Sequence, residues 1–164
     1  MASKEIEVIL DLVDQAFDHH AWHGTNLRGS IRGLKLEQLI WRPAAGKNNI
    51  WELTIHAAYW KYVVKRRLLN EQKGTFPFGG SNFIKRPMEG FADENAWKKD
   101  VKTLVEIHRS LREAISNTEP KDLYITPAGS KFSNLQMFNG IAAHDLYHAG
   151  QIQLIKRLYE VQEK

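Results

Sequence analysis

Apolar residues recur at helical spacing along four long stretches of the chain. Behind Ser3, a candidate N-cap, Ile6, Leu10, Val13 and Phe17 mark a first helix, whose pattern runs on through Trp22 and His23 until Gly24 ends it. Residues Asn26 to Leu34 read as a further short helix, weakened by Gly29 and Gly33, and Trp41-Arg42-Pro43-Ala44-Ala45-Gly46 as a loop. Asn49 followed by Glu52 has the form of a capping box, and Leu53, Ala57, Trp60, Val64 and Leu68 then predict a second long helix to about Asn70. A third follows Asp93, with Trp97, Val101, Leu104, His108, Leu111 and Ile115 in register and Pro120 closing it. Leu123 to Thr126 and Ser130 to Ser133 flank Pro127-Ala128-Gly129 as a candidate small hairpin. Ser133 with Gln136 makes a second capping box, opening a last helix that runs through Met137, Ile141, Ile155 and Leu158 almost to the C-terminus. The expected fold is all-α, a four-helix bundle whose long connections leave room for a non-sequential order.

Residues 71–92 break this rhythm. They hold four of the eleven glycines, two of the five prolines and four of the seven phenylalanines: Phe76, Phe78, Phe83 and Phe91. Loops of this length without secondary structure are uncommon in compact domains and tend to be lids or binding segments, so the stretch is a candidate border of a substrate entrance. The competing reading is that its aromatic rings pin the loop to the bundle.

With 164 residues, 43% hydrophobic and 26% charged, the chain is expected to form a single domain over 1–164. The absence of cysteine excludes a disulfide scaffold, Cys-ligated zinc, an iron–sulfur cluster and a protein thiol nucleophile, so any metal must be held by His, Asp or Glu. Charges at Lys4, Glu5 and Glu7 occupy the place of a signal peptide's apolar run, and no 18-residue apolar stretch follows; a cytoplasmic protein without membrane association is expected. A net charge of +4 suits anionic small molecules as well as nucleic acid.

The chemistry is concentrated in histidines on apolar faces. On the last helix Met137, Ile141, His144, His148, Gln151 and Ile155 share one face, and the four-residue spacing of His144 and His148 stacks both imidazoles on consecutive turns. On the second helix Leu53, His56, Trp60 and Val63 turn His56 inward as well. A lone inward histidine is usually a hydrogen-bonded core residue. Three together would repel on protonation, whereas one divalent cation satisfies all three as neutral ligands. Such a set suits zinc, nickel, copper or iron(II) better than magnesium or calcium, and three protein ligands leave one position open for a nucleophile. No His-Glu-x-x-His, paired Glu-x-x-His, Walker loop, Gly-x-Gly-x-x-Gly turn or Gly-x-Ser-x-Gly elbow competes.

The run from His144 through Asp145, Leu146, Tyr147, His148, Ala149 and Gly150 to Gln151 and Ile152 resembles the last-helix motif of the DinB/YfiT-like superfamily of metal-binding four-helix bundles. Ile50-Trp51-Glu52-Leu53 to His56 resembles its second-helix ligand segment, and Trp22-His23-Gly24 a recurrent subfamily feature. The resemblance implies an up-down-down-up bundle, a three-His metal site at His56, His144 and His148, and a homodimer; the histidines themselves point to a single metal there, zinc or nickel. It also implies a thiol S-transferase-like activity on a small-molecule substrate with a low-molecular-weight thiol. A metal-dependent hydrolase is the enzymatic alternative, and a non-catalytic metal-binding bundle, stress-related or nucleic-acid-binding, the alternative of another class.

Secondary candidates each carry a plainer explanation. Glu52 and His23 are the catalytic candidates, Glu52 one turn before His56 and His23 at the first helix's end, but a helix cap explains either. His20 shares the first helix's inner stripe as a possible support for the metal site; His19 and His108 receive no role. Gly150 inside the last helix points to close approach of a helix or ligand. The run Lys61, Lys65, Arg66, Arg67 reads as a solvated face rather than a nucleic-acid contact, since the tryptophans fall mostly on apolar stripes.

Overall fold

The computed structural model describes residues 3–80, 82–88 and 90–162, and among them every regular element is helical. The four long helices are α1 (Lys4–Phe17), α4 (Ile50–Leu68), α5 (Glu94–Ser116) and α6 (Asn134–Gln162); α2 (Leu27–Ser30), α3 (Leu36–Ile40) and a 3-10 turn over Pro120–Tyr124 are short connections. The predicted caps are where the sequence puts them. Ser3 accepts from the Ile6 N–H, Asn49 and Glu52 close a reciprocal box, Asp93 accepts from Ala96, and Ser133 and Gln136 bond each other's backbone N–H.

Side-chain pairs fix the directions. Trp51, early in α4, meets Trp97 and Asp100, early in α5, so these neighbours run parallel. His56 and Lys61 of α4 meet His148 and Asp145 of α6, and Phe17 and Asp14 of α1 meet His108 and Arg112 of α5, so both of those pairs are antiparallel. With α1 packed on α6, the order is up-down-down-up. Parallel neighbours cannot be joined by a tight turn, which accounts for the long crossover between α4 and α5.

Two apolar clusters fill the interior. One contains Phe17, Trp51, Leu104 and Ile152; the other contains Ile6, Val64, Leu111, Phe138 and Ile141. Between them every long helix contributes a buried polar residue at matching height: Asp14 from α1, Lys61 from α4, His108 from α5 and Asp145 from α6. Lys61 is therefore not on a solvated face. It follows Ala57 and precedes Val64 at inward spacing, is fully buried and is paired with Asp145.

Other expectations are corrected as well. The first helix stops at Phe17, its last buried apolar residue: the N–H groups of Asp18 and His19 both turn back to the Asp14 carbonyl, and Trp22 beyond is 99% exposed, so continuation would bury nothing. The short helix shrinks to α2, and α3 is an addition that the pattern did not announce. The hairpin is not formed; Pro120–Tyr124 is a 3-10 turn, and Asn134 ties it to the start of α6 through the carbonyls of Ile125 and Asp122. Gly150 is exposed, and a Cβ there would meet nothing within 4 Å, so close approach does not explain it. No described helix is long and apolar enough to cross a membrane.

Candidate metal centre

His56 projects from the middle of α4 and His144 and His148 from consecutive turns of α6, which brings one ligand nitrogen of each to within 4.8 Å of the others. His144 Nε2 stands 3.1 Å from His56 Nε2 and 3.0 Å from His148 Nε2. His56 and His148 are buried, His144 half-buried. Burial pushes all three below the ordinary imidazole range, His144 to about 3, helped by the charges of its neighbours, and His148 to about 4. They are neutral at physiological pH.

Their outer nitrogens decide how the inner ones behave. His56 Nδ1 lies 2.8 Å from the carbonyl of Asn82, which can only accept, so Nδ1 carries the proton and Nε2 a lone pair. His148 Nδ1 donates to Gln151 Oε1 at 2.7 Å, and the Gln151 amide in turn donates to the Tyr147 hydroxyl, so His148 Nε2 also presents a lone pair. Neutral His144 has one proton, so at most one of its two close Nε2 contacts is a hydrogen bond and the other brings two nitrogens together with no proton between them. A cation at the point of convergence makes all three attractive. Ligands about 2.0–2.1 Å from a tetrahedral ion stand roughly 3.3 Å apart, so the cluster fits one transition metal with slight spreading. The donor set is all nitrogen, which is soft for magnesium or calcium.

The crossover segment supplies one wall. The Phe83 ring stacks flat on His56, with centroids 4.0 Å apart, and the Asn82 side chain accepts from the Trp60 indole at 2.7 Å. Trp60 also stands edge-on to His56 and His144. The stretch 71–92 thus borders the centre through residues 82–83, while Phe78 packs elsewhere, on Phe76 and under the Arg86 guanidinium.

The secondary candidates are distributed differently. Both Glu52 oxygens are engaged by the Arg42 guanidinium at 2.6 Å, with further bonds from the Asn49 and Arg86 N–H groups. Burial alone would raise this carboxyl, but Arg42 and the N–H donors outweigh it and hold it below the usual range. Its contacts describe a cap that also ties α4 to two loops. His20 and His23 are exposed beyond the end of α1, and the rings around the three histidines are Trp60, Phe83 and Tyr147 instead. His108 is buried against Phe17, in the polar layer.

Asn82 and Tyr147 escaped the sequence reading, and Phe83 was named there only as one of four aromatics of the candidate entrance segment. Asn82 acts through its main-chain carbonyl, which leaves no mark on residue type, and nothing in the sequence told Phe83 from Phe78 as the ring that meets the histidines. Tyr147 sits three residues after His144 and four before Gln151, a spacing that could have indicated its bond to the Gln151 amide.

The family model of the DinB superfamily matches residues 19–152, a span that contains all three histidines. No curated protein and no solved structure matches this chain.

Proposed function

The chain belongs to the DinB superfamily, and from that premise we propose that it is a metal-dependent enzyme. In this reading His56, His144 and His148 hold one divalent transition metal, zinc or nickel, and a small thiol is transferred to an electrophile. The observation that carries it is the convergence of three Nε2 atoms, two of them held as lone-pair donors from behind by the Asn82 carbonyl and Gln151. When bound, the metal supplies Lewis acidity and lowers the pKa of a thiol or water that takes the open position.

The chain's own residues bind, orient and shield. Gln151 and the Asn82 carbonyl keep the Nε2 lone pairs aimed inward. Phe83 and Trp60 cover the side facing the crossover segment and limit water there. His144 also lines an open groove between α4 and α6, with Trp60 as a shared wall, and this is the route left for substrate. The chain contains no cysteine, so in this reading the sulfur comes from a second small molecule, a thiol cosubstrate.

Elemental analysis of the purified protein, beside His148→Ala, tests the metal; about one zinc or nickel per chain is expected, and none in the variant. Small thiols with a model electrophile are then compared with ester and amide substrates offered without thiol. Turnover that needs the thiol supports the transferase. Turnover of esters or amides alone replaces it with a hydrolase, and salt-sensitive DNA or RNA binding without turnover replaces both with a binding module. A metal-free protein, unaltered in stability by added metal or by His148→Ala, returns the histidines to the core.

A further inference from the structure

We infer that the groove beside His144 is a binding site for a small organic carboxylate with an apolar body, its anionic end taken by Arg67 and Lys131. The inference rests on the proposed metal site for its role in catalysis, but its evidence is separate. The groove has a volume of about 510 Å³, within the usual range for small-molecule sites. Its walls are Trp60 of α4, Met137 and Ile141 of α6 and Phe132 from the connection preceding α6, with His144 at its edge. These are surfaces for a ring or a short hydrocarbon.

Charge gives the groove its preference. Arg67 and Lys131 both line it, and none of its lining residues is acidic. Arg67 Nε is buried without a hydrogen-bond partner, and neither cation joins an ion pair among the described residues. Arg67 is half-buried overall, but a donor withdrawn from water and left unused is costly, and a carboxylate offers the forked acceptor that an arginine side chain fits. Two half-buried arginines elsewhere do have a carboxylate beside them: Arg42 has Glu52, and Arg86 has Asp100.

Gly140 lines the groove at an exposed position. It sits in the interior of α6, where glycine is unfavourable, yet a Cβ at that position would meet nothing within 4 Å. The missing side chain is space in the cavity rather than relief of a clash. A larger residue there would occupy the ligand's place while improving the helix.

The test is calorimetric titration with phenylacetate and its neutral analogue phenylacetamide, on the zinc-loaded and the metal-free protein, with metal content measured separately. Phenylacetate should bind the metal-free protein at least ten-fold more tightly than the amide, which removes the ion itself as the anion's partner. Arg67→Met should weaken phenylacetate by about ten- to hundred-fold, the loss of one charge-assisted contact. Gly140→Leu should abolish binding with thermal stability kept or raised and metal content unchanged. Equal affinity for acid and amide, no binding at millimolar concentration, or wild-type affinity in Gly140→Leu would overturn the inference even if one metal per chain is found. Acid-selective binding lost in both variants would sustain it even if the metal reading fails.

Discussion

Lys61 of α4 and Asp145 of α6 pair with each other in the interior of the bundle, where the Lys61 ammonium also stands 4.9 Å from the centre of the Phe17 ring. Burial pushes Asp145 up to about 6 against the opposing pull of Lys61, and its second oxygen has no partner. Removing one member of such a pair strands the other. Lys61→Met is therefore expected to cost about 3–5 kcal/mol in urea unfolding, and Asp145→Leu in the same background to recover most of it. A single variant as stable as the wild type would show that the pair is not coupled.

Gln151 touches His148 only at Nδ1, on the side away from the other imidazoles. Its replacement by Ala frees the ring to turn and to change tautomer, so zinc affinity should fall about 10–100-fold while the fold is kept. Competition with a chromogenic chelator reads the affinity, and circular dichroism the fold. Unchanged affinity would mean that the amide does not orient the ligand.

Acid should destabilise the metal-free protein. His144 and His148 are held at about 3 and 4 and His108 at about 2, all by burial first, against an ordinary value of 6.5. Below about pH 6.5 the unfolded chain takes up protons that the folded chain refuses, so stability present above that pH is lost as pH falls toward the folded values. Asp145, raised rather than lowered, works the other way between its ordinary 3.8 and about 6, but it is one group against three. The urea midpoint should accordingly be lower at pH 5 than at pH 7, with added zinc raising the midpoint at pH 7 and raising it less at pH 5.

Phe83 and Phe78 occupy the same segment in different roles. Phe83→Ala removes the stack on His56 from a residue that is itself 47% exposed, so turnover or substrate affinity should change with little loss of melting temperature. Phe78→Ala takes a half-buried ring from Phe76 and Arg86, and should cost about 2 kcal/mol with metal content unaltered. Kinetics unaffected by Phe83→Ala would leave the segment as a fastener only.

Gly150→Ala should raise stability by about 1 kcal/mol, since the residue is helical, exposed and open at Cβ. Thermal melting measures it. A loss would show a constraint that the free protein's packing does not contain.

The legible parts of the sequence were those written in spacing. Ser3, Asn49, Asp93 and Ser133 announced the helix starts through side chains that bond their own neighbourhood, and the inward phase of His56, His144 and His148 followed from steps of three and four. Long-range pairing was not legible. Lys61 is separated from Asp145 by 84 residues, and a basic neighbourhood ending in Arg66 and Arg67 suggested solvent where the helix phase put the core. The end of α1 was missed because Trp22 and His23 continue the pattern in composition but have nothing to pack against.

The centre joins distant parts of the chain, His56 and His144 being separated by 88 residues with the Asn82 carbonyl lying between them in sequence. Contacts this distant are made late in folding, because the intervening chain must surrender its freedom before they give anything back. The centre can assemble only after α6 has docked against α4 and the crossover has been laid over His56. Ion uptake followed in time during refolding would then trail the appearance of helix, and serve as a clock for the final closure of the bundle.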